Sequence, residues 1–175
     1  FENIYHGPHT FEDWYVVLGN HDYLGNAQAQ IDYTEKSQRW QLPARYYSKT
    51  FALENNEQVL MVFLDTNPIQ PQYRDRDKYR STQGQGYKAQ LTWLETQLAG
   101  SKAKWKIVVG HHPLYSSGKR FGRNQGLRDI LEPILERHNV QAYIAGHEHD
   151  LQYNQPKNSK VAHFVSGGGS EARFV

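Results

Sequence analysis

The chain has 175 residues, enough for one domain of ordinary size and too few for a second independent core. Its net charge of +2 is spread along the sequence, so it offers neither a basic stripe for nucleic acid nor a polybasic patch for a membrane surface. The absence of cysteine excludes disulfides, thiolate metal sites and a cysteine nucleophile together, and no apolar run approaches the roughly 18 residues of a membrane span.

Residues 14–18 form a short β-prone run ended by Gly19, and the polar stretch 25–40, anchored by Ile31 and Tyr33, reads as loop and helix. Residues 46–53 and 59–65 are β-prone runs joined by Glu54-Asn55-Asn56-Glu57, whose length and Asn pair predict a hairpin. Residues 66–86 are polar, are broken by Pro68, Pro71, Gly84 and Gly86, and carry a mixed-charge tract; they are expected to form a long surface loop. Over residues 87–98, Leu91, Leu94 and Leu98 recur at helical spacing, with Gly100 as the stop. A strand over 105–109 is cut off at Gly110, a helix covers 127–135 despite Pro133, and a strand over 140–145 is cut off at Gly146. A last strand, 161–165, runs into Gly167-Gly168-Gly169, expected as a tight turn. Strands alternating with helices after a hairpin predict an α/β fold on a mixed sheet.

Five of the nine histidines sit in three short clusters, and each cluster follows a strand that stops at glycine. These are Gly19-Asn20-His21-Asp22, Gly110-His111-His112-Pro113 and Gly146-His147-Glu148-His149-Asp150. In open α/β sheets functional groups gather beyond the carboxyl ends of the strands, so the three clusters are expected to converge. Imidazole, amide oxygen and carboxylate are the ligands of Zn, Fe or Mn where thiolates are lacking. Asp22 and Asp150 are expected to orient the histidines, and Glu148 to point away from them.

In this order the three clusters resemble the calcineurin-like metallophosphoesterases and, more narrowly, their purple-acid-phosphatase branch. The likeness extends through Tyr46-Tyr47, Leu64-Asp65-Thr66 and the glycine run, and so spans nearly the whole chain. It implies an α/β fold, a mixed β-sheet sandwich with flanking helices, of which residues 1–175 are a single, incomplete domain without the N-terminal part. It also implies two metal ions, Fe with Zn, Mn or Fe. Asn20, His111 and His147 match the ligands of the divalent ion, His149 matches a ligand of the other, and His21 matches a histidine that contacts the phosphate or the leaving group. His112 and Arg120 are the further candidates for holding substrate. The implied reaction is hydrolysis of small-molecule phosphate monoesters, hydroxide attacking phosphorus in line, with a phosphodiesterase or a non-catalytic scaffold descendant as alternatives.

The sequence departs from the family in two places. No Asp follows a Gly, so the turn that supplies the bridging carboxylate is missing, and residues 1–175 alone are expected to bind metal weakly and to be weakly active or inactive. Where related phosphatases often place a proton-donating histidine, this chain has Lys119-Arg120-Phe121-Gly122-Arg123. Neither nucleic acid nor a membrane is expected as a partner; association through an exposed sheet edge and a periplasmic or extracellular setting are.

Overall fold

The structure, a computed structural model, describes residues 1–82, 84–169 and 171. Strand β1 (Trp14–Tyr15) leads through α1 (Ala27–Asp32) to β2 (Trp40–Gln41), its parallel partner. Helix α1 starts where the Asn26 side chain accepts the Gln28 N–H at 3.0 Å, an N-cap that satisfies one of the helix's orphan donors. The predicted hairpin forms as β3 (Tyr47–Ala52) and β4 (Gln58–Leu64), antiparallel. Its turn uses Asn55 and Asn56 at φ of 59° and 61°, a region that Asn tolerates better than most residues.

The chain continues through α2 (Pro71–Arg74), α3 (Tyr87–Gly100), β5 (Trp105–Gly110), α4 (Gln125–Arg137), β6 (Ala142–Ala145), β7 (Leu151–Asn154) and β8 (Ala162–Ser166). Strands β3 to β8 make one mixed sheet in the order β3-β4-β5-β6-β8-β7, parallel in the middle and antiparallel at both edges.

Alternation along β4 shows how the layers are built, because successive side chains of a strand point to opposite faces. Leu60, Val62 and Leu64 join Val108 of β5 in a core with Leu94 and Leu98 of α3 and Leu127, Leu131 and Leu135 of α4. Met61 and Phe63 point the other way, into a second core with Tyr15, Leu18, Trp40, Leu42 and Tyr47. The small β1-β2 sheet therefore packs on one face of the main sheet and the helices on the other. Aromatic contacts fill the sheet-on-sheet layer, with Tyr47 stacked on Phe63 at 4.6 Å between centroids. At the far edge of the main sheet Leu151 and Tyr153 of β7 and Phe164 of β8 are exposed.

One expectation is corrected and one strand is added. Residues 66–86 are not a surface loop: α2 begins with Pro71 in its first turn, a 3-10 stretch covers Asp77–Thr82, and Asn67, Ile69, Gln70, Tyr73, Tyr79 and Thr82 are buried. Their side-chain amide N–H groups find internal acceptors, Asn67 donating to the Leu18 carbonyl at 3.1 Å and Gln70 to Asn124 at 3.0 Å. Strand β7 had no signal of its own, because its apolar residues Leu151 and Tyr153 face solvent.

Leu131 is fully buried between α4 and the sheet. Leu131→Ala is expected to lower stability by about 2–5 kcal/mol in urea unfolding, whereas Phe121→Ala, at a residue 79% exposed, stays within about 0.5 kcal/mol of the parent.

Candidate metal centre

Parallel pairing aligns the strand ends. Leu64 pairs with Gly110, Gly110 with Ala145, and Ala145 with Val165, so the next residues of β5 and β6 emerge on one rim of the sheet. His111 follows Gly110 there, and the Gly146 N–H donates to the His111 carbonyl at 3.1 Å. Asn20 reaches the same rim from the small sheet, after a turn in which the Gly19 N–H donates to the Asp22 carboxylate at 2.8 Å. A β-carbon at Gly19 would lie 3.0 Å from the His111 ring, so glycine lets that imidazole pack directly on the backbone.

Three donor atoms meet as a result. His111 Nε2 lies 2.9 Å from Asn20 Oδ1 and 3.0 Å from His147 Nδ1. Ligands about 2.0–2.1 Å from a tetrahedral zinc ion stand about 3.3 Å apart, so the spacing is within a few tenths of an ångström of that between neighbouring ligands of one ion. His147 takes this position with φ of 66°, a left-handed conformation rare outside glycine. That turn aims the ring inward, and its other nitrogen, Nε2, lies 2.9 Å from the Tyr73 hydroxyl.

Around this cluster a cavity of about 670 Å³ is lined by His21, Asp22, Tyr73, Arg120 and His149 together with the three donors. His21 is exposed on its wall. His149 is two residues beyond His147 and stands apart from the three, its Nδ1 3.3 Å from a carboxylate oxygen of Glu171. The Arg120 guanidinium is held by Glu148 at 3.1 Å, and the same carboxylate accepts the Arg120 N–H at 2.9 Å and the Ser116 hydroxyl at 3.1 Å. Glu148, turned from the cavity as expected, thus fixes the cation that faces it.

Burial keeps the inner imidazoles neutral. It is the main reason His111 is lowered to about 4 and His147 to about 2, with neighbouring imidazoles and Arg120 adding repulsion. His112 is pushed well down by the same causes. Neutral imidazoles whose lone pairs can turn to one point suit cation binding.

The structure brings together Asn20, His111 and His147, and places His21, His149 and Arg120 on the same cavity. His112 differs from the substrate-contacting role expected of it: it is fully buried, its Nδ1 2.8 Å from the Thr66 hydroxyl and its ring against Tyr73, so a phosphate has no path to it. Asp22 and Asp150 do not orient histidines; Asp22 caps the Gly19 turn and Asp150 accepts from Gln152 at 2.9 Å. Tyr73 was not anticipated, because it lies in the stretch read as loop. The signals available there were Pro71 as a helix start and the aromatics Tyr73 and Tyr79 amid polar residues.

A model of the family described as calcineurin-like phosphoesterase matches residues 2–151. The chain belongs to that family. Among sequence relatives, it is 37% identical to purple acid phosphatase 17 of Arabidopsis thaliana, over 98% of this chain and 52% of that protein. It is also 37% identical to tartrate-resistant acid phosphatase type 5 of Mus musculus, over 92% of this chain and 53% of that protein. The chain thus spans about half the length of the relatives it matches. Among solved structures, GAP50 of Plasmodium, titled the anchor in the inner membrane complex, superposes with a TM-score of 0.73 at 24% identity, covering 99% of this chain and 57% of that one. Purple acid phosphatase PPD1 from yellow lupin seeds gives 0.59 at 21% identity over 94% of this chain and 31% of that one. At these identities the structural likeness speaks to the phosphoesterase fold alone, a mixed sheet with flanking helices.

Between about pH 6.5 and 4 the unfolded chain takes up protons at positions 111 and 147 that the folded chain refuses. Stability is therefore expected to fall as pH drops below 6.5, on the order of 1 kcal/mol per pH unit for each histidine. Asp65, raised to about 6 chiefly by burial, works in the opposite sense below that pH. Urea midpoints between pH 7 and 5 test this: His111→Asn is expected to flatten the acid loss, and an unchanged slope would refute the assignment.

Proposed function

We propose that the protein carrying this chain hydrolyses phosphate monoesters at a dinuclear metal centre. In this reading Asn20, His111 and His147 hold the divalent ion and His149 contributes to the second, an iron beside Zn, Mn or Fe. The observation that carries it is the approach of His111 Nε2 to Asn20 Oδ1 and His147 Nδ1 at 2.9 and 3.0 Å, in a chain of the phosphoesterase family.

When bound, such ions supply Lewis acidity toward water and toward phosphoryl oxygens. The chain's own side chains do the rest. Arg120, with Glu148 taking one direction of its guanidinium, has N–H groups left to bind phosphate oxygens. His21 is exposed on the cavity wall, which supports the reading in which its imidazole meets the phosphate or the leaving oxygen. Lys119, Arg120 and Arg123 bring charge to the neighbouring loop, but an arginine does not give up its proton near neutral pH.

The donors that meet at one point are all neutral. Among the described residues, the clustered group of candidate ligands contains no carboxylate, so we infer that residues 1–175 by themselves hold ions weakly and turn over slowly. Phosphodiester substrates would use the same centre. A scaffold role without catalysis is the second reading, motivated by the fold shared with the GAP50 anchor. Self-association through edge strands β3 or β7 belongs to the proposal, as does a periplasmic or extracellular setting. No helix among the described residues is long and apolar enough to cross a membrane.

Elemental analysis and p-nitrophenyl phosphate turnover across pH, on the protein at its natural length, separate these readings. Two ions per chain and turnover are expected, with Asn20→Ala and His111→Ala each losing more than the 10- to 100-fold loss (roughly) typical of outer partners of a metal site. An ion-free, inactive protein would overturn the hydrolase reading and leave the scaffold reading in its place to be tested.

A further inference from the structure

The two nitrogens of His147 face different surroundings. Its Nδ1 is turned into the cluster, 3.0 Å from His111 Nε2, which itself lies 2.9 Å from Asn20 Oδ1. A neutral imidazole has one proton, so a His147 that offers its Nδ1 lone pair to an ion carries that proton on Nε2. The group within reach of Nε2 is the Tyr73 hydroxyl at 2.9 Å.

We propose that Tyr73 is a positioning residue of the metal centre: by accepting the Nε2 proton of His147 it holds that ring in the tautomer whose Nδ1 lone pair faces His111 and Asn20. The proposal rests on the metal-centre reading above and goes beyond it by assigning a residue outside the three histidine clusters.

The setting of Tyr73 suits the task. It is 7% exposed, and burial raises the pKa of its hydroxyl, so the group stays protonated and neutral. Its ring is clamped between His112, at 4.4 Å between centroids, and Tyr79 at 4.9 Å. Its carbonyl lies 3.4 Å from the Thr82 hydroxyl, which ties α2 to the 3-10 stretch Asp77–Thr82. The hydroxyl is thus delivered by a packed segment. Without it the Nε2 side of His147 loses the hydrogen bond that favours a proton there, and at φ of 66° the backbone alone does not set which nitrogen is bare. A histidine ligand whose second nitrogen is bonded is the usual arrangement around a metal, and loss of such a partner typically weakens metal binding by about 10- to 100-fold.

Tyr73→Phe keeps the ring between His112 and Tyr79 and removes the hydroxyl alone. The protein at its natural length is prepared metal-free, and the protonated nitrogen of His147 is read by nitrogen-15 NMR. Affinity for Zn²⁺ is then measured by chelator competition. In the parent, His147 is expected with the proton on Nε2. In Tyr73→Phe the two tautomers mix, and Zn²⁺ affinity at this site falls by about 10- to 100-fold with an unchanged thermal midpoint. A parent with the proton on Nδ1 overturns the proposal without reference to any variant. Equal Zn²⁺ affinity in parent and variant overturns it while leaving the metal centre in place, whereas a parent that takes up no ion overturns the metal centre and this role with it.

Discussion

Everything at the candidate site follows from parallel strands paired in register. Because Leu64, Gly110, Ala145 and Val165 stand side by side, the residues after β5 and β6 leave the sheet on one rim, and groups 36 residues apart in sequence come within hydrogen-bond distance. A shift of one residue in that register would send His111 or His147 to the opposite face, since side chains alternate along a strand. Two cores enforce the register, one against α3 and α4 and one against the small sheet, so that β4 and β5 are buried on both faces. The precision of the site is thus borrowed from the packing beneath it.

The buried polar groups beneath the rim carry that precision upward. Gln90 on α3 exchanges two hydrogen bonds of 3.0 Å with the Asp65 backbone, extending the β4 end as a further strand residue would. Asp65 in turn accepts from Tyr23 and from Asn67, whose amide also holds the Leu18 carbonyl just ahead of Asn20. Through these contacts the end of β4, the turn that presents Asn20 and helix α3 are joined in one network. Its cost is a carboxylate raised to about 6 by burial, tolerated because its oxygens are partnered.

The parts legible in the sequence were those with a strong local signature. Glycine-terminated apolar strands followed at once by Asn or His marked the rim residues, and Leu91, Leu94 and Leu98 marked α3. The asparagine pair marked the hairpin. Less legible was whatever depended on tertiary burial. The segment 66–82 carries so many polar residues that it reads as solvated, yet the amide N–H groups of Asn67 and Gln70 donate to Leu18 and Asn124, which lie elsewhere in the chain. His112 sits beside His111 in sequence and so looked like a partner in chemistry, but on leaving a strand adjacent residues diverge, and it turned into the core. Tyr73 was hidden for the same reason as its segment.

His147 holds a backbone conformation that costs a non-glycine residue on the order of 1–3 kcal/mol, and the imidazole so presented meets His111 on one side and Tyr73 on the other. Glycine would occupy the same turn at less conformational expense. Selection for folding alone therefore pulls this position away from histidine, and only selection for the ring keeps it there. In any lineage freed from that second demand, drift at 147 would come early, so the residue found there in distant descendants reports whether their chemistry has been retained.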